Sequence, residues 1–255
     1  MYAEERHQSI AELVAQRGRV SVTELAGHFD VTTETVRRDL SQLERLKLLR
    51  RVHGGAVSTR SVTMLEPRLD DRDHANEEQK ERIARAAVAL LPEGGGTLLL
   101  DAGTTTARFA SLLPAGEHWT VITHATPIAA MLAPLPHVEL HLLPGRVRTA
   151  TQAAVGHATV EAVGHFRADV AFLGTNGITV RHGLSTPDPE EAATKRALVA
   201  SADRVVVLTD AAKVGQERMV SFADLADVDV LVTDDAIADA DERAFLDAGL
   251  EVIRA

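Results

Sequence analysis

The sequence predicts an α/β protein in two parts, a small N-terminal part of three helices and a hairpin and a larger part built on a mainly parallel sheet. Three observations carry this. At 255 residues the chain exceeds the common size of one domain. Up to about residue 57 the apolar residues recur at helical spacing. From Thr97 onward, short apolar runs alternate with helical stretches, the pattern of βαβ units. The expected boundaries are 1–57, a linker at 58–76 that has weak periodicity and many charges, and 77–255.

In chain order, Glu4–Arg17 places Ile10, Leu13 and Val14 on one face and closes at Gly18. Ser21 caps a second helix and Glu24, three residues on, completes a capping box. Val22, Leu25, Ala26 and Phe29 form that helix's core face. Asp30-Val31-Thr32 turns the chain, and Thr32 or Thr33 caps a third helix. There Val36, Leu40, Leu43 and Leu46 face inward, leaving Thr33, Glu34, Arg37, Arg38, Ser41 and Gln42 outside. Arg51–Val57 holds Gly54-Gly55 between two short strands, a hairpin.

Capped helix, short turn, capped helix and basic hairpin, in that order, describe a winged helix-turn-helix. In that motif the start of the third helix enters the major groove of DNA. Backbone N–H groups and the hydroxyls of Ser21, Thr32, Thr33 and Thr35 then meet phosphates. Arg37 and Arg38 sit about 100° apart around the helix. One therefore reaches a base edge, guanine by preference, while the other holds backbone. Arg50, Arg51 and His53 suit phosphate or minor-groove contact from the wing. The competing reading is a helical domain with a solvated basic face, which leaves the ordered set of caps and the Gly-Gly turn unexplained.

The net charge of −10 opposes nucleic-acid binding only until it is divided along the chain. Residues 1–60 hold ten Lys+Arg against eight Asp+Glu; the rest hold 17 against 29. A patch this weakly basic favours a homo-oligomer, dimer or tetramer, that sets two copies on one duplex. The hydrophobic fraction of 45% and mean hydropathy of −0.02 fit a chain with a real core. No apolar run approaches the length of a membrane helix, and MYAEERHQSI is too charged for a signal peptide. Cysteine is absent, which excludes disulfides and thiolate metal sites and agrees with a cytoplasmic location.

In the second part a helix capped by Asn76 runs to Leu91 and is broken by Pro92 and Gly94–Gly96. Strands are expected at Thr97–Leu100, Thr120–Thr123, Val138–Leu142, Val170–Gly174, Arg204–Leu208, Val228–Val232 and Glu251–Ile253. Helices are expected at Thr105–Leu113, Pro127–Ala133, Ala154–Gly164, Pro189–Ala202 and Asp241–Ala248.

Ligands of such sheets bind beyond the carboxyl ends of the strands. There LLLDAGTTTARFA offers Asp101, Gly103 and the hydroxyls of Thr104, Thr105 and Thr106 at a helix start, a setting for an anion such as a sugar phosphate. A capped helix without ligand explains the same residues equally well. The stretch is neither a Walker loop nor GxGxxG, so no nucleotide cofactor is expected, and no metal site. Other strand ends carry Thr123 and His124, Gly145 and Arg146, Asn176, and Asp210 with Lys213. Convergence on one edge is what makes these candidates, since a lone loop histidine or surface lysine is usually neither. Asp188-Pro189-Glu190-Glu191 reads as a helix start. Glu191 and Lys195 share a helix face and either support that start or border the pocket.

These residues resemble the DeoR family of bacterial transcriptional regulators over nearly the whole chain. The first part matches through ERHQSIAELVAQRGRVSVTELAGHFDVTTETVRRDLSQLE and LLRRVHGGA, the second through LLLDAGTTTARFA, DVAFLGTNGI, GLSTPDPEEAATKRA and VLTDAAKVG. The resemblance implies a homo-oligomeric repressor whose C-terminal domain senses a phosphorylated sugar. That sensor is in turn similar to ribose-5-phosphate isomerase, which opens an alternative: a sugar-phosphate isomerase fused to a DNA-binding domain. Aligned without gaps, the isomerase's two loop aspartates and catalytic glutamate fall on Leu173, Asn176 and Thr194, while Lys213 is kept. Moving a C–H proton needs a base; only Glu191 is placed to substitute. MYAEER, LLPGRVR and VAFLGTNGITVRHGLSTPDPEEAATKRA most resemble fructose-operon repressors of high-GC Gram-positive bacteria, implying fructose 1-phosphate or a close phosphosugar as effector. His124 stands where the family usually has Asn, which bears on the sugar's identity and, through the imidazole, on pH dependence.

Overall fold

A computed structural model describes residues 3–17, 19–45, 48–52, 54–58 and 69–255. Gly18, Leu46 and His53, and with them the expected helix stop, one core position and one wing contact, lie outside the described residues, as does the side chain of Arg50. The chain divides into two compact units, Met1–Glu66 and Pro67–Ala255.

In the first unit α1 (Ala3–Arg17), α2 (Val22–Phe29) and α3 (Thr33–Arg45) close over Ile10, Val14, Leu25, Val36, Leu40 and Leu43, each no more than 1% exposed. Ser21 and Glu24 make the expected capping box: the Ser21 hydroxyl accepts from Glu24 N at 3.1 Å, and Glu24 accepts from Ser21 N at 2.8 Å. Between α2 and α3, Asp30 takes the left-handed conformation (φ 52°), which its short polar side chain tolerates. The hairpin β2 (Leu49–Val52) and β3 (Gly55–Ser58) gains a third strand that the sequence did not announce, β1 (Arg19–Ser21), in the order β1-β3-β2. Gly55 faces Ser21 across this sheet, and a Cβ there would stand 2.2 Å from the Val20 carbonyl oxygen. Only glycine fits that approach.

The second unit opens with α4 (Leu69–His74), inside the stretch expected to be linker, so a linker reaching to 76 is too long. Its packing on the next helices, not its periodicity over six residues, holds it. Then α5 (Glu77–Ala87) ends in a 3₁₀ turn, Val88–Leu90. Asn76 does not cap α5: it is left-handed (φ 55°), and its side-chain amide donates instead to Asp210 Oδ1 at 3.1 Å.

Seven parallel strands follow: β4 (Gly96–Leu100), β5 (Trp119–Thr123), β6 (Val138–Leu142), β9 (Ala168–Leu173), β12 (Ala202–Leu208), β14 (Val230–Thr233) and β15 (Glu251–Arg254). They correspond one for one to the apolar runs in the sequence. Their order is β15-β14-β12-β9-β4-β5-β6. Strand order therefore runs outward in both directions from the β4–β9 pair, the point where an open α/β sheet holds its ligand. Helices α6 (Thr104–Ala110), α7 (Thr126–Leu132), α8 (His157–Val163), α9 (Pro189–Ala200) and α10 (Asp239–Asp247) occupy the expected places. Helices α6 and α9 end two or three residues early, and α8 begins late: Ala153–Val155 is strand β8, paired with β7 (Arg146–Arg148), so α8 starts only at His157. A small antiparallel sheet of β10 (Gly177–Thr179), β11 (Gly183–Thr186) and β13 (Val220–Ala223) completes the unit.

Candidate functional site

In the first unit α3 is held from behind. Asp39, 6% exposed on a helix otherwise read as basic, accepts from Arg6 Nε at 2.6 Å and Nη2 at 3.2 Å and contacts His7 Nε2 at 2.7 Å. Burial pushes its carboxyl up, but the hydrogen bonds from Arg6 and His7 outweigh that and hold it below the usual carboxylate range. This clamp locks the rotation of α3 against α1. Its signal in the sequence is one acidic residue on the stripe Val36, Leu40, Leu43.

With that face fixed, Arg37 and Arg38 are exposed. Arg37 lines a groove of about 550 Å³ with Thr33, Arg51, Gly54, Gly55 and Thr23, between the start of α2, α3 and the wing. Arg51 is tied to α3: its Nη1 donates to Ser41 Oγ at 2.7 Å, and Ser41 donates to the Arg37 carbonyl at 2.7 Å. Thr32 Oγ1 accepts from Thr35 N at 3.2 Å, which makes it the cap of α3, and contacts the Thr35 hydroxyl at 2.9 Å. Thr33 stands free of that cap on the groove; Ser21 is engaged in its own capping box. The result is a concave face with two guanidinium groups, hydroxyls and the N-terminal ends of two helices, the chemistry a phosphate backbone requires.

In the second unit the expected residues divide into three groups. Asp101, at the end of β4, His124, at the end of β5, and Lys195, on α9, meet in full burial. Lys195 Nζ donates to Asp101 Oδ2 and, at 3.0 Å, to the Gly174 carbonyl; Gly174 N donates to Asp101 Oδ2 at 2.8 Å. His124 Nδ1 lies 2.8 Å from the Ala154 carbonyl and so donates there, while Nε2 sits 3.2 Å from Ala102 N and 3.0 Å from Asp101 Oδ1. Burial raises the Asp101 carboxyl, but the Lys195 charge and the His124 contact prevail and bring it down to about 2. These three side chains stitch β4, β5, β9 and α9 together at the sheet's switch point.

A second group is spent locally. Thr123 Oγ1 donates to the Leu100 carbonyl at 2.7 Å. Arg146 pairs with Glu190 on the surface. Glu191, 2% exposed, accepts from Arg148. Gly145 packs so closely on Thr159 that a Cβ would fall 2.2 Å from its hydroxyl. Asn176 offers its backbone carbonyl to Arg218 Nε at 3.0 Å.

The third group surrounds the start of α6. A cavity of about 210 Å³ is lined by Gly103 and Thr104 together with Ala125 and Thr151 and by Leu69 and Asp73 of α4. Thr105 and Thr106 are buried behind it, and the Thr106 hydroxyl has no hydrogen-bond partner. Lys213, partly exposed and outside the lining of this cavity, lies 3.4 Å from Asp210, and desolvation, only partly offset by Asp210, brings its ammonium down to about 8. Lys80 on α5, 3% exposed, is a residue the sequence reading missed; burial, opposed by Asp210, lowers its pKa too. It donates to the Arg72 carbonyl. The signal was present: Lys80 begins the apolar stripe Ile83, Ala84, Ala87. Two lysines destabilised as cations, with Arg72 and Arg108 adding to the positive field at Lys80, form an arrangement that an incoming anion relieves.

Comparison with known proteins follows the same division. Residues 6–62 match the DeoR-like helix-turn-helix domain and residues 75–235 the DeoR C terminal sensor domain. The chain is 35% identical to the uncharacterized HTH-type transcriptional regulator FruR of Bacillus subtilis over 92% of each chain. It is also 35% identical to the glycerol-3-phosphate regulon repressor of Escherichia coli, over 90% of each. Among solved structures, ribose 5-phosphate isomerase A from Methanocaldococcus jannaschii overlaps 55% of each chain at 19% identity and a TM-score of 0.41.

Proposed function

The chain belongs to the DeoR family of helix-turn-helix transcriptional regulators, and on that footing we propose that it represses a sugar-utilisation operon, fructose first among candidates, and is released by a phosphorylated sugar such as fructose 1-phosphate. The observation that carries the effector class is the pair Lys80, 3% exposed, and Lys213, 23% exposed, both in the field of Asp210: ammonium groups disfavoured by desolvation whose charge a phosphate dianion stabilises, with Lys80 bonded to the Arg72 carbonyl next to the cavity residue Asp73. The likeness to FruR supports fructose.

In the DNA-bound form a homo-oligomer sets two α3 helices into successive major grooves, with Thr33, Arg37, Arg38, Arg50 and Arg51 on the duplex. Effector held by Lys80, Lys213 and the Gly103–Thr106 turn favours an arrangement in which the helices no longer match the half-site spacing. Linkage makes the effect mutual: DNA weakens effector binding by the factor by which effector weakens DNA binding. The isomerase alternative has no observation in its favour, because Glu191, its one substitute base, is buried and engaged by Arg148.

The test is a thermal-shift screen of the full chain against phosphosugars, followed by calorimetry of the best one with and without operator DNA. Stabilisation by mass action is expected for the effector, and a lower affinity when operator is present. Equal affinity in both conditions would refute the proposal. A coupled assay showing turnover, lost in Glu191→Ala, would replace it with the enzyme.

A further inference from the structure

We propose that α4 is a displaceable strap across the effector site: the Asp73 carboxylate holds the place of the ligand's phosphate, and effector binding drives out the first helix that follows the segment joining the two units. This rests on the proposed function and concerns how the same site is regulated.

The charge inside the cavity is the first argument. Among its described lining residues, Leu69, Asp73, Gly103, Thr104, Ala107, Ala125, Pro127, Ile128 and Thr151, the sole charged one is Asp73. A carboxylate is the wrong sign for a phosphorylated ligand, and two like charges in one small cavity repel strongly. The second argument is what α4 occupies. Arg108, 15% exposed, donates to the Asp73 carboxylate through Nη1 and to the Asp73 carbonyl through Nη2 at 3.3 Å. Lys80 donates to the Arg72 carbonyl. Consecutive residues of α4 thus engage two cations that also have counter-charges elsewhere, Arg108 in Glu77 at 3.4 Å and Lys80 in the field of Asp210, so neither is stranded when α4 leaves.

The third argument is size. At about 210 Å³ the cavity falls below the roughly 300 Å³ at which small-molecule sites begin. Removing Leu69 and Asp73 from its wall enlarges it and opens a way to Arg108 and Lys80 together. A phosphate has three acceptor oxygens for cations that α4 satisfies only in part. The exchange is one of anchors, α4 for ligand, and its balance is small because Asp73 is half-exposed. Since α4 begins at Leu69, directly after the segment 59–68, its release acts on the chain that leads to the DNA-binding unit.

The test uses the full chain with fructose 1-phosphate, and with inorganic phosphate as a probe carrying the charge without the sugar. Under saturating fructose 1-phosphate, hydrogen exchange is expected to quicken at the amides of 69–76 and to slow at Thr104–Ala110; inorganic phosphate reproduces this at higher concentration. Asp73→Asn keeps the shape and removes the competing charge, so the dissociation constant for fructose 1-phosphate falls about two- to five-fold, the range of a half-exposed ion pair. Slower or unchanged exchange at 69–76 with ligand bound overturns the strap. So does an Asp73→Asn affinity equal to or weaker than wild type. Both results leave the proposed function standing, whereas a wild-type chain that binds no phosphosugar removes the two together.

Discussion

Alanine at Asp101 is expected to strip the sensor unit of about 3–5 kcal/mol, the cost of breaking a buried ion pair from one side. The size follows from what is left behind. Lys195 is 2% exposed and would keep the Gly174 carbonyl at 3.0 Å and Glu191 at 3.9 Å, with the Phe222 ring at 5.3 Å beneath its ammonium. Gly174 N–H would lose its acceptor at 2.8 Å, adding a partly buried donor without its partner. The unit spans Pro67–Ala255, a size at which each kcal/mol moves the melting temperature by about 2–4 °C, so its transition should drop by roughly 6–20 °C. Calorimetry of the full chain reads this, and acid titration gives an independent measure. The Asp101 carboxyl is lowered from 3.8 to about 2. Its contribution is therefore complete above the unfolded value and is lost as pH falls through the folded one, about 2–3 kcal/mol in all. The variant Asp101→Ala/Lys195→Met removes the stranded charge and should recover at least half of the loss. An Asp101→Ala melting point within about 2 °C of wild type, or a double variant no better than the sum of its parts, would refute the reasoning.

Three further outcomes address the DNA-binding unit. Asp39→Asn weakens the clamp on α1; because the Asp39 carboxyl is held low, its support is present above the ordinary carboxylate pKa and fades as pH drops through the folded value, so wild type and variant should converge in acid melts. Gly55→Ala forces apart β1 and β3 at the Val20 carbonyl and should abolish operator binding in a band-shift assay, with the sensor unit's transition unchanged. Arg37→Ala and Arg38→Ala should both weaken operator binding. The residue on a base edge costs about 1–3 kcal/mol and relaxes base preference, while the one on phosphate lowers the salt slope by about one.

The seven strands of the main sheet were legible because each reads as a short apolar run between turns, most strongly in the inner strands β4, β5, β9, β12 and β14, whereas the edge strands β6 and β15 are only partly covered. The strands β1, β7, β8, β10, β11 and β13 were not. They are three or four residues long, too short to show alternation, and partners distant in sequence decide their pairing. The DNA-facing surface was legible for a similar reason: helical period fixes which side of α3 is outward. Asp39 and Lys80 escaped because a charged residue reads as solvated by default, and only its place on an apolar stripe says otherwise. The region proposed for the effector was half legible. The turn from β4 into α6 was expected and borders a cavity, but period and turn chemistry gave no hint that Asp101, His124 and Lys195 would spend themselves on one another, or that α4 would line the cavity.

The pairing of β4 with β9 also sets a timetable. Leu98 of β4 lies against Val121 of β5 on one side and Val170 of β9 on the other, so the first strand of the sheet to leave the ribosome waits some seventy residues for its second neighbour. Such distant pairing makes for slow folding. Among the described residues, the core of the N-terminal unit lies within Ile10–Ala56, so that unit closes while the remainder is still being synthesised. During synthesis a young chain therefore passes through an interval in which the DNA reader is complete and its controller does not yet exist. A reader of such modest charge, if it grips an operator only as the proposed oligomer, is harmless in that interval, and its weakness becomes a safeguard against repression that no metabolite can lift.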